Sequence, residues 1–312
     1  MKFAKAYAPC SIGNVGPGFD VFGLALGGAG DEVEAFKIDE ELVRIRAIHG
    51  DGGRLPREAD KNTAGIAALE TLKQLATKRG EKFGVELVLK KGLPLNSGLG
   101  SSASSAAAAA VAVNALSHDP LPKAELLEAC IKAESEVSGF HADNVAPSLL
   151  GGFIVVESMK PLRWSRIEPK FEIPLGVITP ALEVPTKRAR EVVPRLVEME
   201  KVVSQIGAVS TMLCGLYDQD LQKLARGVND QIVEPARAQL IHGFDAVKAF
   251  AMKQGALCFS ISGSGPTVFL ICEDFQSLER VSYQVVNMWR EMGIESTIQK
   301  VGIDSYGSRI LE

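Results

Sequence analysis

Lys91 to Ser105 reads KGLPLNSGLGSSASS. The segment follows an alternating run, Val85, Leu87 and Leu89, which reads as a strand. It precedes an alanine-rich stretch, to about Leu116, which reads as a helix. Gly98 and Gly100 lack Cβ atoms, so backbone N–H groups there can approach an anion closely. The helix behind them supplies a positive dipole end and unpaired N–H donors. Ser101 and Ser102 add hydroxyls suited to a phosphate or a metal ion. The small side chains of Ala103 to Ala110 let the helix pack tightly beneath. Two readings stand: a phosphate-binding loop, or a capped helix with a flexible entry. No Gly-Lys-Ser/Thr occurs in the chain, which excludes the P-loop of nucleoside triphosphatases. The glycine spacing also departs from the G-x-G-x-x-G of dinucleotide folds.

Two further glycine clusters adjoin strand-like segments. Ala8 to Asp20 reads APCSIGNVGPGFD, and Ser260 to Thr267 reads SISGSGPT. Each alone reads as a tight turn; three beside strand ends can line one cleft. Around them, Phe3–Ala8, Glu32–Ile38 and Leu42–Ile48 read as strands, with Pro9–Gly30 a glycine-rich connection. Asn62 suits the N-cap of a helix bearing Ile66, Leu69, Leu72 and Leu75. Lys123 to Val137 reads as an amphipathic helix and Phe153 to Glu157 as a short strand. The second half is mostly helical to Gln254. It ends strand (Ala256–Ile261), turn, strand (Val268–Cys272), helix to about Met292, and strand near Ile294–Val301. This pattern predicts an α+β architecture in two parts, 1–158 and 159–312.

Composition narrows the function classes. The 34 Lys+Arg and 38 Asp+Glu give a formal net charge of −4. There is no Lys/Arg-rich run, so no nucleic acid partner is expected. No apolar run reaches the roughly 18 residues of a membrane span. The N-terminus reads as a strand rather than a signal peptide, which predicts a cytoplasmic protein. Five cysteines without a CxxC pair indicate neither a zinc site nor a disulfide framework. Cys130, Cys214, Cys258 and Cys272 lie in apolar contexts and read as core residues.

Glu134 stands out on its own helix. Leu127, Cys130, Ile131 and Glu134 follow i, i+3, i+4, i+7, so the carboxylate lies on the apolar stripe. An inward carboxylate needs a partner, and Mg²⁺ is one that fits; a tip reaching solvent near the helix end is the other reading.

Taken together, the motifs resemble a known family. P-x-S-x-x-N-x-G-x-G-F-D (Pro9–Asp20), P-x-x-S-G-L-G-S-S-A-S (Pro94–Ser104) and S-G-S-G-P-T (Ser262–Thr267) are similar to the three motifs of the GHMP kinases. G-F-D, His141-Ala142-Asp143-Asn144 and Glu234-Pro235-Ala236-Arg237 resemble its homoserine-phosphorylating branch. The resemblance implies an N-terminal domain like domain 2 of ribosomal protein S5 and a C-terminal ferredoxin-like domain. It implies ATP and Mg²⁺ as cofactors, L-homoserine as substrate on the route to threonine, and a homodimer. Mevalonate or shikimate kinases of the same family, and a non-catalytic ATP sensor, are the alternatives. By position, the resemblance assigns Pro94, Gly98, Leu99, Gly100, Ser101, Ser102 and Ala103 to the ATP phosphates. It assigns Ser102 and Glu134 to the metal, with Glu136 as the alternative, and Asn62 to adenine. For the amino acid it implies Asn14, Asp20, His141, Thr186, Arg190, Arg237 and Gly263. Asp20 would meet the ammonium and the two arginines the carboxylate. Asn144, Asp143 and Arg190 are the residues placed nearest the chemistry. The resemblance implies no dedicated base, with Asn144 orienting groups and Asp143 the rival candidate.

Overall fold

A computed structural model describes residues 1–136 and 139–311. In chain order the elements are β1 (Phe3–Gly13), β2 (Phe22–Ile38), β3 (Val43–His49), α1 (Thr63–Arg79), β4 (Gly84–Lys90) and α2 (Ser101–Ala115). Then come α3 (Leu127–Ser135), α4 (Val145–Leu150), β5 (Phe153–Met159), β6 (Leu162–Ile167), β7 (Leu175–Pro180), α5 (Thr186–Glu191) and α6 (Met199–Asp218). The chain closes with α7 (Leu221–Gly227), α8 (Val233–Ala238), α9 (Phe244–Lys253), β8 (Ala256–Ile261), β9 (Val268–Cys272), α10 (Phe275–Glu291), β10 (Ser296–Val301) and β11 (Arg309–Ile310). The expected end of the third helix at Val137 lies outside the described residues.

Among the described residues the strands form two sheets. The first runs β11-β1-β2-β4-β3, with β5 beside β2 and β6 beside β5. Only β3–β4 is a parallel pair, joined through α1. The second sheet runs β10-β7-β9-β8 and is antiparallel throughout. Its order and its strand–helix–strand–strand–helix–strand sequence are those of the expected ferredoxin-like half.

Three expectations change, and one feature is new. The first strand does not stop before Pro9 but reaches Gly13, because a register shift between Pro9 and Cys10 absorbs a residue that cannot donate to the ladder. The expected division at 158/159 falls inside the β5–β6 hairpin, so the sheets divide after Ile167 instead. The tail also returns to the first sheet: Gly27 N–H donates to the Gly302 carbonyl (2.8 Å), and β11 pairs with β1. Finally, Cys214 is exposed on α6, whereas Cys130, Cys258 and Cys272 are buried.

Packing explains the alanine run. Ala103, Ala106 to Ala110 and Ala112 are fully buried, so α2 sits against α1 and the first sheet with no bulk between backbones. That close seat fixes where the N-terminus of α2 points. In the second layer, Leu278, Val281, Val285 and Trp289 recur at helical spacing along α10 and are fully buried. Each contributes roughly 1.5–3 kcal/mol of burial. No helix among the described residues is long and apolar enough to cross a membrane.

Candidate active site

The three glycine clusters meet at one cleft of about 270 Å³ between the layers. Backbone and hydroxyl bonds knit them together. Ser11 N–H donates to the Leu99 carbonyl (3.1 Å) and Gly263 N–H to the Gly13 carbonyl (3.1 Å). Ser262 Oγ donates to the Gly98 carbonyl (2.7 Å). Gly98 and Gly100 have φ of 82° and 64°, a region that disfavours side chains. A Cβ on Gly98 would lie 2.4 Å from the Ser262 carbonyl oxygen, and one on Gly100 2.2 Å from Ser11 Oγ. The entry to α2 is therefore held by its neighbours rather than flexible. Gly100 caps α2 without a side-chain bond, and a helix end of that kind suits an anion.

Gly98, Gly100, Ser101 and Ser102 line the cleft. Pro94, Leu99 and Ala103 do not: Leu99 and Ala103 are buried in the core, and Pro94 is exposed with its carbonyl accepting from Ser97 Oγ (2.9 Å). These three shape the loop. Ser102 Oγ donates to Glu134 Oε1 (2.9 Å), so the two expected metal ligands are already adjacent. Glu134 is buried and lines the cleft, whereas Glu136 is exposed.

Below the loop lies a pair that sequence reasoning missed. Lys91, at the end of β4, forms a buried ion pair with Asp31 on β2. Its ammonium also donates to the Ser101 carbonyl (2.8 Å) and Ser105 Oγ (2.7 Å). Asp31 further accepts from Gly92 N–H (3.0 Å) and Ser105 Oγ (2.7 Å). One carboxylate thus ties the start of the loop to the helix that follows it. Burial lowers the Lys91 pKa, opposed by Asp31. The signal in the sequence is slight: Asp31, Val33 and Ala35 alternate on the buried face of β2, an inward position for an acid.

Asn62 lies at the far end of the cleft beside Pro56. It caps α1 as expected, with Oδ1 accepting from Ala64 N–H (3.0 Å) and Nδ2 donating to the Pro56 carbonyl (2.8 Å).

The opposite end is highly charged. Asn14, Val15 and Asp20 have φ of 69°, 43° and 56°, so the turn after β1 is wound through the left-handed region. Asn14 holds it: its N–H donates to Asp143 Oδ2 (3.1 Å), Nδ2 to the Gly263 carbonyl (3.0 Å), and Oδ1 accepts from Asp20 N–H (3.1 Å). Arg190, on α5 with Thr186, donates through Nη1 and Nη2 to Asp20, each at 3.0 Å. Arg237, on α8, is buried and donates to two carbonyls, Ala189 (3.1 Å) and Gly263 (2.7 Å). Burial, then Arg190, lowers its pKa. The Phe19 ring lies 5.4 Å from the Arg190 guanidinium and 5.3 Å from that of Arg237. Asn144 Oδ1 accepts from Ser11 Oγ (3.0 Å), joining this end to the phosphate loop.

His141 Nδ1 lies 2.6 Å from Asp143 Oδ1. Burial alone would lower its pKa; the hydrogen bond and charge of Asp143, then Asp20 and Glu134, raise it to about 9. Asp20, His141 and Asp143 thus form a close group of two acids around one imidazole. A raised folded-state value means the charged imidazole stabilises the fold fully below pH ~6.5 and loses that contribution as pH rises through about 9. The expected loss between pH 7 and 10 is up to about 3 kcal/mol, and His141→Gln removes that slope. Urea denaturation at a series of pH values measures it; equal slopes in parent and variant would refute the assignment.

The chain matches the sequence profiles of "GHMP kinases N terminal domain" over residues 66–152 and "GHMP kinases C terminal" over 212–291. It is 41% identical to a homoserine kinase of Chloroherpeton thalassium, over all of both chains. It is 39% identical to one of Chlorobaculum tepidum, over 100% of this chain and 99% of that protein. A crystal structure of homoserine kinase from Cytophaga hutchinsonii superposes with a TM-score of 0.94 at 38% identity, covering 100% of this chain and 98% of the other. The chain therefore belongs to the GHMP kinase family and is an ATP-dependent small-molecule kinase. Within that family it groups with the homoserine kinases.

Proposed function

We propose that this chain transfers the γ-phosphoryl group of ATP to the side-chain hydroxyl of L-homoserine, giving O-phospho-L-homoserine and ADP. The observation that carries the reading is the charge pattern beside the phosphate loop. Asp20 offers an anion for an ammonium, and the Arg190 and Arg237 guanidiniums offer forks for a carboxylate. Arg237 supports it most directly, because its buried guanidinium donates to two carbonyls and to no carboxylate in the hydrogen bonds described. A substrate carboxylate completes it.

In this reading the Gly98–Ser102 backbone cradles the phosphates and Asn62 with Pro56 flanks the adenine. Ser102 and Glu134 fit Mg²⁺, which takes one or two protein oxygens along with phosphate oxygens. When bound, the ion neutralises charge on the transferring group. The protein's own part is positioning: Asn14 and Asp143 fix the turn that carries Asp20, and Asn144 links substrate and phosphate ends. Asp143 is poorly suited to be a base. Its oxygens already accept from Asn14 N–H and face His141. The hydroxyl proton passes to the transferred phosphoryl group.

The test couples ADP release to a panel of L-homoserine, D-homoserine, mevalonate, shikimate and galactose with MgATP. Turnover is expected with L-homoserine alone. Another alcohol in its place would keep the phosphate loop and discard the amino-acid site. Asp143→Asn is expected to keep kcat within roughly tenfold. A loss of about 10³-fold or more, with ATP binding and fold intact, would make Asp143 the base.

A further inference from the structure

Asp20 and Arg190 come from opposite walls of the cleft, the turn after β1 and helix α5, and they bond to each other. They are also the two groups assigned above to the substrate's ammonium and carboxylate. Both side chains are partly open to the cleft, at 32% and 37% exposure, so a ligand can reach them. The pairing leaves Arg190 incompletely satisfied: its Nε is buried without a hydrogen-bond partner among the described residues. The Asp20 backbone is pinned by Asn14 in a left-handed turn, so its carboxylate has little room to follow a moving arginine.

We propose that the Asp20–Arg190 ion pair is a selectivity device: the site holds a copy of its ligand's two charges, and only a zwitterion can displace that copy without stranding either group. The inference rests on the L-homoserine reading. An incoming ammonium takes the place of Arg190 on Asp20, and an incoming carboxylate takes the place of Asp20 on Arg190, with Arg237 a fixed anchor throughout. A hydroxy acid lacking the ammonium can draw Arg190 away only by leaving Asp20 and Asp143 to share the one His141 imidazole. An amino alcohol lacking the carboxylate strands Arg190. Uncompensated charge in such a site is costly, and this cost rejects the single-charge ligands.

A gain of function follows. Asp20→Asn releases Arg190, so both arginines become available to a hydroxy acid. Activity on 4-hydroxybutyrate, which is homoserine without its amino group, should then rise. In that reaction the bond between the γ-phosphorus and the β–γ bridging oxygen breaks and ADP leaves with the electron pair. A bond forms from the substrate's hydroxyl oxygen to phosphorus, and the proton goes to the transferred group.

The experiment compares kcat/KM for L-homoserine and 4-hydroxybutyrate in the parent and in Asp20→Asn. Near-UV circular dichroism and the KM for ATP report the fold, and Asp20→Ser serves as a second variant. L-homoserine activity is expected to fall about 100-fold or more and 4-hydroxybutyrate activity to rise about tenfold. A parallel fall for both substrates, with the parent active on L-homoserine, overturns the proposal alone. A parent silent on L-homoserine overturns the functional reading and the proposal with it. The parent gives an independent measurement. Acetate and methylammonium, used together as inhibitors against L-homoserine, should each strengthen the other's inhibition about tenfold, because the first to bind frees a partner for the second. Independent inhibition would also overturn the proposal.

Discussion

Glutamine in place of Glu134 lowers kcat by about 10³-fold while the fold survives. The substitution is nearly isosteric, and the new amide oxygen can still accept from Ser102 Oγ, which now lies 2.9 Å from the carboxylate. What disappears is the negative charge at the mouth of α2. A divalent cation bound by Ser102 and the nucleotide phosphates alone is held less tightly, so the dependence on Mg²⁺ concentration should shift to higher values. Because glutamine buries more cheaply than a carboxylate, the melting temperature should stay level or rise. Steady-state kinetics at several Mg²⁺ concentrations, with a thermal melt, make the measurement. A kcat within tenfold of the parent, at unchanged Mg²⁺ dependence, would remove Glu134 from the proposed metal site.

Alanine in place of Asp31 should be the most destabilising single change near the site. The Lys91 ammonium it leaves behind is buried, and losing the partner of a buried charge costs about 3–5 kcal/mol. In a chain of this size that lowers the melting temperature by on the order of 10 °C. The catalytic consequence is specific. Asp31 joins Gly92 to Ser105, so its loss loosens the loop between them and should raise the KM for ATP more than that for the amino acid. The pair Asp31→Ala with Lys91→Met replaces two buried charges by apolar atoms and should recover most of the stability. It should not recover the ATP affinity, because the tie across the loop is still missing. If the double variant melted as low as the single one, the unpaired charge would not be the cause.

How far the sequence could be read depended on whether a feature was local. The glycine-serine turn between β4 and α2, the cap at Asn62 and the inward face of α3 rest on spacing within a few residues, and all three stand in the structure. The ferredoxin-like half came with the motif resemblance, the succession of elements pointing only to an α+β architecture. The β5–β6 hairpin was misjudged because a loop near Lys160 looks alike whether it joins two strands of one sheet or two domains. The long β1 was cut short because Pro9 reads as a terminator, and only a register shift against β2 lets the strand continue. Cys214 misled because an apolar helix stripe looks the same whether it is covered or open. Lys91 and Asp31 lie 60 residues apart, and no local pattern joins them. The motif resemblance supplied Asp20, Arg190 and Arg237 as separate contacts, but nothing in the sequence foretold that two of them would hold each other.

The return of the tail to the first sheet has a mechanical meaning. The second layer leaves the first after Ile167 and comes back near Ile303, so it is an insertion tethered at two points rather than a domain hung on one linker. The two tethers and an apolar core shared by both layers, with Ile12, Phe22 and Leu26 against Val177, Met212 and Phe269, hold them against twisting. Cutting the chain at 302 would remove one tether and leave the shared core and the single crossing after Ile167 to hold the two walls of the cleft together.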